Sequence, residues 1–328
     1  MTEPYISIRL LKKTSKDKLM KILFMGTPDY AAKTLERIIE AGHEVCGVFA
    51  QPDKPVGRKR ILTPPPVKQL AISKGLDVYQ PESLKNSDAV EIIKGLDPEL
   101  IVVVAYGKIL PEEILSIAKY GCINGHASIL PKYRGASPIQ WAIICGEEKT
   151  GITIQYMDKG IDTGDIIAIR EVDIKPTETA DELFDRLAVV SADLMVETIE
   201  KIADGTAKRT KQNEEDASYA PIIKKEMALI DFTKTATEVY NAIRGYYSWP
   251  CAFFFLNGKR IKVTEAQVAE NTKAIAGTVV SNNNELVIAC GSNTAIRLIS
   301  VVPEGAKPMK AAQMLLGNPI AVGTKIGE

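Results

Sequence analysis

Histidine is nearly absent from this chain. There are only two, His43 and His126, in 328 residues. That scarcity removes the commonest metal ligand and general base from almost every stretch. The five cysteines, Cys46, Cys122, Cys145, Cys251 and Cys290, are scattered, with no C-x-x-C pair and no His/Cys cluster. Such a pattern argues against a disulfide framework and against a zinc site, and free thiols fit a reducing cytoplasm. No apolar run is long enough to span a bilayer, and no apolar core of a secretory signal precedes the first strand-like segment. A nucleophile elbow and a Walker loop are missing too. Formal net charge is zero but unevenly spread: residues 206–328 hold 15 Lys+Arg against 11 Asp+Glu, which leaves 26 against 30 for residues 1–205. A mildly basic C-terminal part is compatible with a polyanion partner and equally with chance imbalance on a solvated surface.

What is present indicates two domains, since 328 residues exceed one ordinary core. Residues 1–19 carry Arg9, Lys12, Lys13, Lys16 and Lys18 against Glu3 and Asp17. They read as a disordered extension upstream of a natural start at Met20; their acidic residues and shortness oppose an organelle-targeting peptide. Lys21–Gly26 (KILFMG) is a buried parallel strand, and Thr27 and Pro28 are placed as N-cap and first residue of a helix whose apolar face is Leu35, Ile38 and Ile39. His43 falls in the exit turn and reads as a turn or surface histidine. Glu44–Gln51 is the second strand. This βαβ unit invites a dinucleotide-binding reading, but its G-T-P-D turn lacks G-x-G-x-x-G, so a nicotinamide dehydrogenase is disfavoured.

Pro52–Pro66 reads as a loop carrying Lys54, Arg58, Lys59 and Arg60, either a grip for phosphates or an ordinary charged surface loop. Leu100–Val104 is the strongest strand, and Tyr106-Gly107-Lys108 leaves its carboxyl end, where ligands of open α/β sheets sit. Cys122–Asn124 brings Asn124 and His126 to the same edge, two residues apart and hence on one face of an extended segment. Gly151–Met157 leads into a second small-residue loop, DKGIDTGD, at Asp158–Asp165. A long helix covers Thr179–Ile202. The fold expected is α/β, with a Rossmann-like parallel-sheet domain over 20–205, a polar linker over 206–224, and over 225–328 a small barrel of the OB type, from five short strands at regular spacing.

Asn124, His126 and Asp162 form a chemical set if the two loops face each other. An amide can donate to an oxyanion, an imidazole can move a proton near neutral pH, and a carboxylate can orient the ring. No serine or cysteine is required. The scheme suits an external nucleophile such as an amine attacking a carbonyl, and an α-amino group with a pKa of about 7.7–8 is readily unprotonated. Taken singly, each residue reads equally well as structural; their joint position on sheet-edge loops favours the functional reading.

At these residues the chain resembles the folate-dependent formyltransferases. Their N-x-H-x-S-[LI]-L-P-x-x-[RK]-G pattern stands here as Asn124, His126, Ser128, Ile129, Leu130, Pro131 and Gly135, and their D-x-G-x-D-T-G loop as Asp158 to Gly164. The resemblance implies 10-formyltetrahydrofolate as formyl donor, no metal, Asn124, His126 and Asp162 as the catalytic trio, and folate against the turn Ser128, Ile129, Leu130 and Pro131 and the loop holding Tyr106 and Gly107. The segments KILFMGTPDYAA, VFAQPDKPVGRKR, VVVAYGKILP, GASPIQWAI and GIDTGDI follow the order found in members that formylate methionyl initiator tRNA, over Met20 to Leu316. That implies tRNA contacts by the basic loop, with Arg58 carried over and Lys59 and Arg60 beside it. Gly125 stands where an apolar residue is usual, and Ile129 replaces leucine. A monomer in the cytoplasm, without membrane attachment, is expected. Transfer to a sugar-nucleotide amine, hydrolysis of formylfolate and non-catalytic RNA binding are the rival readings; the basic barrel and loop favour tRNA.

Overall fold

The computed structural model describes residues 19–57, 59–85 and 88–326; the proposed N-terminal extension therefore lies outside the described residues, apart from Leu19. Two compact units divide the chain. One runs up to Ile123 and takes in Ala192–Arg209; the other comprises Asn124–Ser191 and the chain from Thr210 onward.

The first unit holds β1 (Lys21–Gly26), α1 (Asp29–Glu40), β2 (Glu44–Phe49), β3 (Lys54–Val56), β4 (Ile61–Thr63), α2 (Pro66–Ser73), β5 (Val78–Tyr79), α3 (Ala89–Leu96), β6 (Leu100–Val104) and α4 (Glu112–Leu115). Its sheet order is β5-β2-β1-β6, parallel throughout. Every residue of β6 and all but the first of β1 are buried. Continuous apolar runs of this kind are what strands covered on both faces require. Helix α1 buries Tyr30, Ala31, Thr34, Leu35 and Ile38, a single helical stripe.

Three expectations are corrected here. Thr27 does not cap α1. Pro28 is extended at the N-cap, and the Thr27 hydroxyl instead donates to the Tyr106 carbonyl at 3.1 Å and accepts from the Gln51 amide at 3.4 Å. Its place at the carboxyl end of β1, next to the chain leaving β6, decides this. His43 is not a surface residue: it is buried, and its Nδ1 accepts from the Met20 amide at 3.3 Å. Pro52–Pro66 is not loop throughout, because β3 and β4 pair as an antiparallel hairpin, with Gly57 and Arg60 at positive φ in the turn. Its Val56, Ile61 and Leu62 are exposed.

Strand β7 (Cys122–His126) begins in the first unit and ends in the second. The second unit continues with β8 (Arg134–Gly135), α5 (Pro138–Ile144), β9 (Lys149–Tyr156), β10 (Ile166–Asp173) and α6 (Ala180–Asp204), whose last turns return to the first unit. Strand β9 lies between β7 and β10, and β10 runs antiparallel to β9, so the strands of this unit are not all parallel as expected.

Of the stretch expected as a linker, residues 210–224 belong to this unit. Strand β11 (Tyr219–Ala220) pairs in parallel with β8, and Trp141 of α5 donates its indole N–H to the Pro221 carbonyl at 2.8 Å. Beyond it come α7 (Ala236–Gly245), β12 (Phe253–Leu256), β13 (Lys259–Ala269), β14 (Val279–Ser281), β15 (Leu286–Ala289), β16 (Ala295–Pro303), β17 (Met309–Lys310) and α8 (Ala311–Gly317). Thr235 and Glu238 form a capping box at the start of α7. The antiparallel order β12-β13-β16-β15-β14, with β17 added to β16, leaves β12 and β14 as ends, which suits a partly open small barrel. Register shifts in the 11-residue β13 bend it around a core of Phe254, Ile288, Ile296, Leu298 and Val301.

That core carries a stability test. Ile288 is fully buried in it, so Ile288→Ala should remove about 2–5 kcal/mol in denaturant unfolding. A loss below about 1 kcal/mol would mean that the site collapses around the missing side chain.

Candidate active site

Strand β7 presents Asn124 and His126 on one face, the asparagine half-buried and the histidine only 6% exposed. The imidazole Nε2 lies 2.8 Å from the Tyr133 carbonyl. A carbonyl can only accept, so Nε2 carries the proton of this bond. Nδ1 faces Asp162, 3.5 Å from its Oδ2. Tyr133 is held in its turn. Its φ is 58°, its amide donates to Ser218 Oγ at 2.9 Å, and its hydroxyl donates to Glu147 at 2.6 Å. Burial first, and the Glu147 carboxylate second, push its phenol far above the ordinary range, so it remains a donor.

Asp162 sits in the loop after β9 with φ 55°. Its carboxylate accepts from the Gly135 amide through Oδ2 and from Gln155 Nε2 through Oδ1, each at 2.9 Å. The loop closes tightly: a Cβ on Gly164 would lie 1.7 Å from the Tyr156 carbonyl, so the position admits only glycine. Asp158 Oδ1 accepts from Thr163 Oγ1 at 2.6 Å and from the Gly160 amide at 3.0 Å. The two loops picked out in the sequence thus meet, with His126 and Asp162 at ion-pair distance.

The Ser128–Pro131 turn is ordered from within. Ser128 Oγ donates to the Lys132 carbonyl at 2.6 Å; Thr153 Oγ1 donates to the Ser128 carbonyl at 2.7 Å and accepts from the Leu130 amide at 3.1 Å. Ser128 and Leu130 are buried, so the turn presents backbone together with the half-buried Ile129 and Pro131. In the first unit, Tyr106 is buried, its carbonyl accepting from Thr27 and from Gln51 Nε2 at 3.0 Å, and Gly107 takes positive φ. Burial pushes the Tyr106 phenol up to about 12. Lys59 and Arg60 are exposed on the β3–β4 turn, whereas Arg58 lies outside the described residues.

The sequence reading missed residues that hold this arrangement together. Gln155 is a polar side chain in the buried run of β9, an anomaly that could have flagged it. Arg134 is fully buried: its guanidinium donates to Gln212 Oε1 and, at 2.8 Å on each nitrogen, to the two oxygens of Glu214. The arginine holds the Glu214 carboxyl below its usual range. Gln212 and Ser218 belong to the polar linker and carried no motif. Among the described residues, no group of three or more His, Cys, Asp or Glu could hold a metal. Cavities of about 720 and 600 Å³ open elsewhere in the second unit, lined by such residues as Glu182, Glu265 and Lys310 in the first and Ile261, Met314 and Pro319 in the second. Neither includes a member of the trio, and their walls bring together no comparable chemical set.

A histidine beside a carboxylate, with an asparagine two residues away on the same strand, makes a set able to pass a proton and to hydrogen-bond a carbonyl oxygen. Residues 20–199 match the formyl transferase family and residues 222–319 its C-terminal domain, and the chain belongs to that family. Over 307 residues it is 47% identical to the methionyl-tRNA formyltransferase of Caldanaerobacter subterraneus subsp. tengcongensis, covering 93% of this chain and 99% of the relative. The Bacillus subtilis methionyl-tRNA formyltransferase is 45% identical over 311 residues, covering 94% and 98%. Within the family the chain stands with the methionyl-tRNA formyltransferases. More distant likeness, of fold alone, extends to WlaRD, a sugar 3N-formyl transferase solved with dTDP and 5-N-formyl-THF (TM-score 0.65, 20% identity, 88% of this chain and 100% of that one). It extends also to HypX of Aquifex aeolicus in complex with tetrahydrofolic acid (TM-score 0.61, 20% identity, 91% and 47%).

Asp162→Asn tests the electrostatic part of this geometry. The amide has one acceptor oxygen where the carboxylate has two, and it brings no charge to Nδ1. Turnover should fall by about 10²–10⁴-fold, and the melting temperature should fall by a few degrees, because the new NH₂ group must face the donor of Gly135 or of Gln155. Turnover within about threefold of wild type would remove Asp162 from the chemistry.

Proposed function

We propose that this protein transfers the formyl group of 10-formyltetrahydrofolate to the α-amino group of methionyl initiator tRNA. The geometry of His126 carries the chemical part: Nε2 is committed to the Tyr133 carbonyl, so Nδ1, beside Asp162, is the nitrogen left for proton traffic. The full-length likeness to methionyl-tRNA formyltransferases supports the choice of acceptor.

In this reaction the amine lone pair attacks the formyl carbon, and the carbonyl electrons move onto oxygen. The Asn124 amide donates to that oxygen as its charge develops, where a fixed donor is worth more than water. Nδ1 accepts the proton that the amine nitrogen must lose, and Asp162 stabilises the resulting imidazolium. The tetrahedral adduct collapses, the bond to the folate nitrogen breaks, and the proton on Nδ1 returns to that leaving nitrogen. Every proton is conserved between the two substrates, so the protein needs no nucleophile of its own. The folate lies, on this reading, against the backbone of the Ser128–Pro131 turn and the loop of Tyr106 and Gly107. The C-terminal barrel and the basic hairpin hold the tRNA. The proposal takes the chain as a cytoplasmic monomer of catalytic domain, linker and tRNA-binding domain, with the boundaries inferred from the sequence.

The acceptor is tested by offering charged initiator tRNA, free methionine and a sugar-nucleotide amine in parallel, with 10-formyltetrahydrofolate as donor. Formylation of the tRNA alone is expected; formylation of the small amines without the tRNA would overturn the proposal. Arg58→Ala tests the basic segment of the sequence: losing one phosphate contact should raise the KM for tRNA about tenfold and flatten its salt dependence, with folate binding unchanged by fluorescence titration. An unchanged KM for tRNA would remove Arg58 from the interface.

A further inference from the structure

We infer that Gln212, from the stretch joining the two parts of the chain, is a positioning residue for the reaction: its amide locks the Asp162 loop against the buried Arg134 and so aims the carboxylate at His126 Nδ1. The inference rests on the formyl-transfer reading above. All the residues it uses lie in one compact unit.

The hydrogen-bond count is the main argument. Gln212 Nε2 donates to the Asp162 carbonyl and to the Gly164 carbonyl, each at 2.8 Å. Gln212 Oε1 accepts from Arg134 Nε at 3.1 Å and Nη2 at 2.8 Å. Both protons and both lone pairs of the amide are therefore used. Its orientation is also unambiguous, because a guanidinium only donates and a carbonyl only accepts. The same Nε2 lies 3.3 Å from Gln155 Oε1, a third and longer contact that can only share one of those two protons. Gln212 thus acts on Asp162 chiefly through the loop backbone.

The anchor behind it is rigid. Arg134 has 0% exposure and is neutralised by Glu214, two residues past Gln212. The next residue, Gly135, donates its amide to Asp162 Oδ2 and pairs with Ala220 of β11. Residues 212–220 thereby hold both sides of the carboxylate. A glutamine serving only to join two segments would not need to bond the carbonyls on either side of Thr163, in a loop where Asp162 already takes positive φ.

The test is Gln212→Glu, an isostere that turns two donors into acceptors facing two carbonyls, with Gln212→Met as a partner that removes the bonds without adding charge. Gln212 is only half-buried, so neither variant should abolish folding. Both should lower kcat by about tenfold or more while the KM values for donor and tRNA stay within about threefold. The imidazole 15N spectrum supplies a readout independent of substrate, and with only His43 and His126 present its assignment is simple. In both variants the His126 Nδ1 resonance should move while Nε2, held by Tyr133, stays in place. Unchanged kcat, or kcat and both KM values changing together with an unmoved Nδ1 resonance, would overturn the role. If wild type formylates no tRNA, the functional reading fails; the Nδ1 shift still decides whether Gln212 positions Asp162.

Discussion

The site depends on one fixed proton. Tyr133 offers its carbonyl to His126 Nε2, and this bond decides what every other group near the ring can do. With Nε2 on the Tyr133 carbonyl, Nδ1 is the ring nitrogen on the side of Asp162, 3.5 Å from its carboxylate. Tyr133 in turn is fixed by its left-handed backbone, by Ser218 behind its amide and by Glu147 on its hydroxyl. The orientation of the ring therefore starts from a turn that offers it a peptide carbonyl.

The carboxylate is restrained in a complementary way. Asp162 is held by a backbone amide from β8, by a side-chain amide from β9 and, through its carbonyl, by Gln212. These donors lie on three separate stretches of sequence, and each is fixed by its own partners. Such a site reaches its reacting geometry before substrate arrives, which is the condition for charge stabilisation without reorganisation. A reaction between two bound substrates needs little more: a donor for the oxyanion, a relay for one proton and a shaped edge of sheet.

What could be read from the sequence follows from how local each feature is. Strands β1 and β6 are legible because a strand covered on both faces must be apolar along its whole length. The approach of Asp162 to His126 is legible because both lie in or beside small-residue loops leaving neighbouring strands, the second dense in glycine and aspartate. The pairing of β8 with β11 is not legible: two-residue strands have no period, and their partners are 85 residues apart (Arg134 with Tyr219). Gln212 is hidden for the same reason, since its meaning lies in distant carbonyls. His43 and Thr27 were misassigned because turn position says nothing about what packs against a turn. The β3–β4 hairpin was missed because its exposed strands contain Pro55 and lack an alternating pattern.

The central claim concerns which nitrogen of His126 is free for the reaction. A long-range 1H–15N correlation spectrum of the wild-type protein, recorded where the ring is neutral, reads this directly. The account predicts the tautomer with its proton on Nε2 and a bare Nδ1 toward Asp162. A proton on Nδ1 with Nε2 bare would contradict it, and would require the Tyr133 carbonyl and the carboxylate to exchange their roles.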